Sequence, residues 1–296
     1  MLVAYCVYID NFKVKKDYSC KNVQKPLLLL THAHADHYGR SIANFTNVVC
    51  SGPTAFILNT LHKPKIVQAG KTYTHSQTVG YTVFDTIHSP GSIGFFFHSP
   101  INVLHIGDSR IDDTLILTIK QIILKNPHEC NKIKINSDRV DLKHQNIFKS
   151  YPSIQTCRKN LFGLWEKYGA DNLVLSMHSD SLCLLLNHMF SPVLLPSRIN
   201  LPPVRDKVVR SFYMLPKTGR QILVCGRLPR NKNFAIGHPN FVFVEPSLLW
   251  FVNDKIPINP SVIEKDNRGV YRMFASGHAS VSETHALVSV IKSCIQ

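Results

Sequence analysis

His32, His34, Asp36 and His37 fall within six consecutive positions, in the pattern His-x-His-x-Asp-His. Imidazole nitrogens and carboxylate oxygens are borderline ligands that suit zinc, and a tight turn can aim three or four of them at one point. The chain has 15 histidines in 296 residues. At that frequency, four fixed matches should arise by chance in roughly a few chains per thousand. The competing reading is a merely polar His-rich turn. Three further positions share the context of a polar ligand at the end of an apolar run. His88 is followed at once by Ser89-Pro90-Gly91, Asp108 closes Val103-Leu104-His105-Ile106-Gly107, and His278 precedes a helical pattern. Each taken singly reads equally well as an ordinary surface or core residue. Together they suit a metal centre, in which an aspartate can bridge two ions through its two oxygens.

The elements that must position these groups are legible as patterns. Leu27-Leu28-Leu29-Leu30 runs directly into the histidine motif and reads as a strand buried on both faces. The N-terminal run Leu2–Ile9 is a second strand, halted by Asp10, which taken alone reads as an ordinary turn residue and, facing the leucine strand, as a group that orients a ligand histidine. It has no basic lead, so it is not read as a signal peptide. Asn47–Cys50, Ile66–Val67 and Tyr81–Ile87 are expected strands, with a short helix over Ser41–Phe45. The Pro and Gly after His88 impose a sharp reversal. From Asp112 onward helix signals increase. Ser153–Tyr168 carries apolar residues at helical spacing, Leu173–Leu175 reads as a buried strand and Leu182–Phe190 as a helix. At the end of the chain, Ser280 and Glu283 have the capping-box spacing, and Leu287, Val290, Ile291 and Cys294 form one apolar stripe.

Composition narrows the class. A hydrophobic content of 44% and a charged content of 18% describe a globular chain, long enough for one large domain or two moderate ones. No apolar run approaches the roughly 18–20 residues of a membrane span, so no membrane partner is expected. The eight cysteines are scattered without a Cys-x-x-Cys, which reads as reduced thiols in an intracellular protein. The formal charge of +15 suits a polyanionic partner, although lysines kept for solubility give the same sum. Arg205, Lys207, Arg210, Lys217, Arg220, Arg227, Arg230 and Lys232 are interleaved with Phe212, Tyr213 and Phe234. Phosphate contacts with stacking faces are what a nucleic-acid groove requires, and a solvated charged face is the alternative.

Tyr8-Ile9-Asp10-Asn11-Phe12, Thr31 through Gly39, His88-Ser89-Pro90-Gly91-Ser92, Leu104 through Arg110 and Ser276-Gly277-His278-Ala279-Ser280 with Glu283 appear in an order that is informative. In that order they resemble the metallo-β-lactamase-fold nucleases of the β-CASP group, nearest the DNA cross-link-repair branch that includes Artemis and Apollo. The likeness covers roughly residues 5–160 and 270–293, with Tyr151-Pro152-Ser153-Ile154-Gln155 a fainter echo of the segment opening the cap domain. It implies an α/β fold, a metallo-β-lactamase αββα sandwich with an inserted β-CASP cap domain. The expected division is 1–145 and 266–296 for the sandwich and 146–265 for the cap. It also implies one metal held by His32, His34, His88 and Asp108, and a second by Asp36, His37, Asp108 and His278, with Asp10 in support.

The resemblance further implies a zinc-dependent DNA nuclease, carrying one or two Zn2+ ions, that hydrolyses phosphodiesters as a 5′-to-3′ exonuclease in DNA repair or processing. Asp36, Asp108 and His278 are the expected catalytic residues. Zinc with three protein ligands and an open position lowers the pKa of its water from 15.7 to about 7. The expected partner is single-stranded or end-bearing DNA, or RNA in the RNA-processing relatives, and the expected setting is a nuclear monomer. Three departures stand out. Asn136 occupies the place of an expected aspartate unless a two-residue slip brings in Asp138. Ser176-Met177-His178-Ser179-Asp180 replaces a Gly- and Lys-bearing segment. The chain stops at Gln296, before the family's last strand. Asn136 therefore favours a rival reading, a catalytically lapsed DNA-binding relative. A small thioester or lactam hydrolase is a further rival, disfavoured by the charge.

Overall fold

In the computed structural model the described residues are 2–4, 7–10, 27–38, 47–58, 63–76, 79–89, 91–98, 101–126, 132–136, 151–168, 172–176, 192–193, 212–214, 221–225, 228, 230–246, 264–274 and 276–295. The expected helices over Ser41–Phe45 and Leu182–Phe190 lie outside them, as do most of the basic residues between 199 and 232. The chain divides into two compact units. Met1–Asp141 joins Gly277–Gln296 in the first, and Leu142–Ser276 makes the second.

The first unit is built on two five-stranded sheets. One has the order β1 (Leu2–Ala4), β2 (Val7–Ile9), β3 (Leu27–Leu29), β4 (Asn47–Cys50), β5 (Lys65–Ile66), with β2 to β5 mutually parallel. The single N-terminal strand expected from the run Leu2–Ile9 is instead two short antiparallel strands, pairing Leu2 with Tyr8 and Ala4 with Val7. Apolarity alone carries no mark of a chain reversal. The other sheet has the order β10 (Lys132–Asn136), β9 (Val103–Asp108), β8 (Ile93–Phe97), β7 (Val79–Asp85), β6 (Thr72–Ser76), an antiparallel meander to which β10 adds in parallel.

The leucine run illustrates why this arrangement forms. β3 lies between two parallel neighbours, and successive strand side chains point to opposite faces. Leu27 and Leu29 enter a core shared with Val49, Tyr81, Phe95 and Phe97 from both sheets. Leu28 and Leu30 face the other way, with Val48, Cys50 and Leu58, the last two flanking α2 (Gly52–Ile57). On the far side, Phe84, Phe96, Leu104 and Ile106 pack against α3 (Asp113–Leu124) and against Leu287 and Ile291 of the C-terminal helix (Val281–Ile295). The layers are thus helix, sheet, sheet, helix. The class is mixed α/β, as the sequence predicts.

The second unit carries α4 (Ile154–Tyr168) and a seven-stranded mixed sheet. Its order is β12 (Pro192–Val193), β13 (Phe212–Met214), β14 (Gln221–Cys225), β11 (Asn172–Ser176), β15 (Phe241–Pro246), β17 (Tyr271–Met273), β16 (Glu264–Lys265). Arg268 is nearly buried there, bonded to Glu245 and Asp266. Among the described residues Cys50 is free and buried, Cys294 is free and half-buried, Cys157 is buried, and no helix is long and apolar enough to cross a membrane.

Candidate metal centre

Five chain segments of the first unit deliver polar side chains to one place, and each does so at the end of a regular element. Asp10 follows β2, Thr31, His32 and His34 follow β3, and His88 comes three residues after β7. Asp108 ends β9, and His278 precedes the C-terminal helix, labelled α5 from here on. His37 belongs to α1 (Ala35–Tyr38), the short helix into which the motif turns.

Asp10 holds the turn. Its Oδ1 accepts from the Thr31 backbone N at 2.8 Å, and its Oδ2 accepts from the Thr31 hydroxyl at 2.6 Å. The residue is buried and adopts a left-handed φ of 42°. Backbone of this kind persists in a non-glycine residue only where the surroundings over-determine it. The same Oδ2 lies 3.0 Å from His37 Nδ1. His32, fully buried, has its Nδ1 2.9 Å from Thr31 Oγ1.

His88 is fixed from the other side. Its Nδ1 donates to the Gly277 carbonyl at 2.8 Å, so Nε2 presents a lone pair and lies 3.0 Å from His34 Nδ1. The turn after it is locked by Ser92, whose Oγ donates to the Thr86 carbonyl at 2.9 Å. It also needs Gly91, since a Cβ at that position would lie 2.6 Å from Ser51 Oγ and from Pro53 Cβ.

One ligand atom each from His32, His34, His88 and Asp108 lies within 4.8 Å of all the others. Asp108 Oδ2 is 3.9 Å from His32 Nε2 and 3.8 Å from His88 Nε2. Ligands about 2.0–2.1 Å from a tetrahedral zinc are separated by about 3.4 Å; the His34–His88 pair at 3.0 Å lies below that value and the two Asp108 pairs at 3.8 and 3.9 Å lie above it. The His32 Nε2 atom is buried with no hydrogen-bond partner among the described residues. A buried lone pair left unmatched costs free energy unless something fills the site, and a cation would do so. The residues present therefore fit a divalent metal.

The electrostatics agree. Burial, reinforced by the His88, His37 and His34 rings, pushes the His32 imidazole far below its ordinary value. Burial likewise pushes His88 down to about 3, so both are neutral ligands at pH 7. Burial acts on Asp108 in the opposite sense. Hydrogen bonds from His278 and His37 outweigh it and hold the carboxyl well below the usual carboxylate range. Those bonds converge on one oxygen, since Oδ2 is 3.0 Å from His37 Nε2 and 3.1 Å from His278 Nε2. His37 thus lies between two carboxylates, and despite burial its bonds to Asp10 and Asp108 raise it to about 10.

His278 is the open side of the cluster, with a side chain 35% exposed. Its loop is held by a device the sequence shows only in part. Ser280 and Glu283 form the expected capping box, with Ser280 N donating to Glu283 Oε2 at 2.9 Å and Glu283 N to Ser280 Oγ at 3.2 Å. Arg110, two residues past Asp108, also grips Glu283. Its Nη2 donates to Oε1 at 2.7 Å and its Nε to Oε1 at 3.0 Å. This clamp, the Thr31 hydroxyl and the Gly277 carbonyl are contributors that the sequence reading missed. No local spacing signals a pairing across 173 residues.

Asp36 lies in α1, but its side chain is outside the described set. Asn136 ends β10 directly in backbone register with Asp108.

No protein-family model matches the sequence, and no curated protein sequence matches it. Solved structures similar at low levels include the following two. Zn(2+)-bound PqqB from Methylobacterium extorquens is 8% identical over 47% of this chain, with a TM-score of 0.35, and the match spans 60% of the PqqB chain. A metal-soaked Flv1 flavodiiron core from Synechocystis sp. PCC6803 is 12% identical over 91% of this chain and 72% of its own, with a TM-score of 0.30. Both scores lie below 0.5, so the reading of the centre rests on its own geometry.

Proposed function

We propose that this chain is a metal-dependent hydrolase of nucleic-acid phosphodiesters. It would be a metallo-β-lactamase-type nuclease of the β-CASP group, acting on DNA ends in the 5′-to-3′ direction as a nuclear monomer. The observation that carries the reading is the convergence of His32, His34, His88 and Asp108 around the unbonded His32 Nε2. Residues 142–276, which interrupt the first unit in the sequence, are the cap of this reading.

His32, His34 and His88 would hold a zinc ion together with Asp108. A second ion would have to displace the hydrogen bonds that His37 and His278 make to Asp108. A bound metal of this type supplies Lewis acidity and a water activated at neutral pH. The chain's own groups do the rest. Asp108 would contribute the one negative charge among the ligands of a bound cation, and His37 keeps that carboxylate ionised and oriented. His278, with a side chain 35% exposed, would hold a proton at Nε2 beside Asp108 Oδ2. The formal charge of +15 draws a polyanionic substrate towards the protein.

A second reading, a lapsed enzyme that only binds DNA, is favoured by one observation. Asn136 is the register partner of Asp108 in the adjacent strand, where a carboxylate would add negative charge. Purified protein incubated with end-labelled single-stranded DNA and matched RNA, with and without a 5′ phosphate, separates the readings when zinc content is measured in parallel. Stepwise shortening of DNA that stops on chelation is the expected result. Preferential RNA cleavage reassigns the substrate, and salt-sensitive binding without cleavage selects the lapsed form. Protein that takes up no zinc sinks the proposal.

A further inference from the structure

The geometry points to Thr31 as a positioning residue that fixes which nitrogen of His32 carries the proton before any metal arrives. The inference rests on the metal-centre reading and deepens it. The Thr31 hydroxyl has one proton, and that proton is committed. Its partner at 2.6 Å is Asp10 Oδ2, a carboxylate oxygen able only to accept. The hydroxyl oxygen can then only accept at its other contact, His32 Nδ1 at 2.9 Å. His32 Nδ1 must therefore carry hydrogen, and Nε2 is left as the lone pair turned toward His34, His88 and Asp108. The unbonded state of buried Nε2 is the counterpart of this arrangement. With the opposite tautomer, two lone pairs would face each other at Nδ1 and a proton would point at the metal position.

The surroundings are built to keep Thr31 in that rotamer. Asp10 adopts its left-handed backbone and uses its second oxygen to accept from Thr31 N, so both ends of the residue are held by one carboxylate. Behind it, a Cβ at Gly107 would approach Thr31 Cγ2 to 3.1 Å, and Gly107 has a φ of 70° that favours glycine. His88 reaches the same tautomer through the Gly277 carbonyl. Two of the three ligand imidazoles are thus preset by different devices, one main-chain and one a side-chain relay.

The test reads the tautomer directly. In metal-free, 15N-labelled protein, long-range 1H–15N correlations are expected to show His32 protonated at Nδ1. Thr31→Val keeps the shape and removes the hydroxyl, and Thr31→Ser keeps the hydroxyl. Valine is expected to give mixed tautomers and to weaken zinc binding about 10–100-fold in a chelator competition, as loss of a partner behind a metal ligand does. Serine is expected to restore both. A wild-type His32 protonated at Nε2 overturns the inference, as does a valine variant with unchanged tautomer and zinc affinity. Should valine fail to fold, the wild-type spectrum and the serine variant still decide. A wild-type chain that binds no zinc yet shows the Nδ1–H tautomer leaves the relay standing and removes the nuclease reading.

Discussion

Asp108 Oδ2 lies 3.1 Å from His278 Nε2, across 170 residues of sequence. The same oxygen also faces His37, His32 and His88, so one atom is the meeting point of the centre. Asp108→Asn retains the shape but replaces one of the two oxygens and removes the charge. Zinc uptake is expected to fall. Hydrolysis of end-labelled DNA is expected to drop by about 10²–10³-fold or more, with the far-ultraviolet circular dichroism unchanged.

His278 is the least buried member and belongs to no core cluster among the described residues. His278→Ala should cost less than about 1 kcal/mol in urea denaturation. It should still bind zinc through His32, His34, His88 and Asp108 while losing most of its activity. Full activity in this variant would remove His278 from the chemistry.

The Arg110–Glu283 pair is buried on the arginine side and is charge-assisted at three atom pairs. Removing one partner strands the other, so Glu283→Ala is expected to destabilise by about 3–5 kcal/mol. The double substitution Arg110→Ala/Glu283→Ala should lose less than the sum of the singles. A double-mutant cycle by chemical denaturation measures the difference.

Gly94 faces the ring of Phe84, and a Cβ there would lie 2.3 Å from Phe84 Cζ. Phe84 is fully enclosed in the outer core. Gly94→Ala is therefore expected to destabilise by about 1–3 kcal/mol through overpacking, visible as a lowered thermal midpoint.

Burial pushes the Cys50 thiol up to about 12. The shift favours the neutral thiol, so the reactive thiolate is scarce at every pH below that value. Iodoacetamide at pH 8 should leave Cys50 unmodified in the folded protein and label it once denaturant is added, as read by peptide mass spectrometry.

Much of this protein is written locally in its sequence. The buried strand Leu27–Leu29 follows from consecutive apolar residues, and the capping box from the spacing of Ser280 and Glu283. The metal-binding character of His32 and His34 follows from ligand chemistry at close spacing, because the atoms that must meet are already neighbours along the chain. Only the tertiary structure decided the rest. Nothing local to Asp10 says that its carboxylate serves Thr31, 21 residues away, or that Arg110 grips Glu283. Nor does the apolar run at the N-terminus say that it doubles back. These relations depend on strand register and on which faces pack together. Both are set by the summed burial of apolar surface over two sheets, a quantity that no short window of sequence contains.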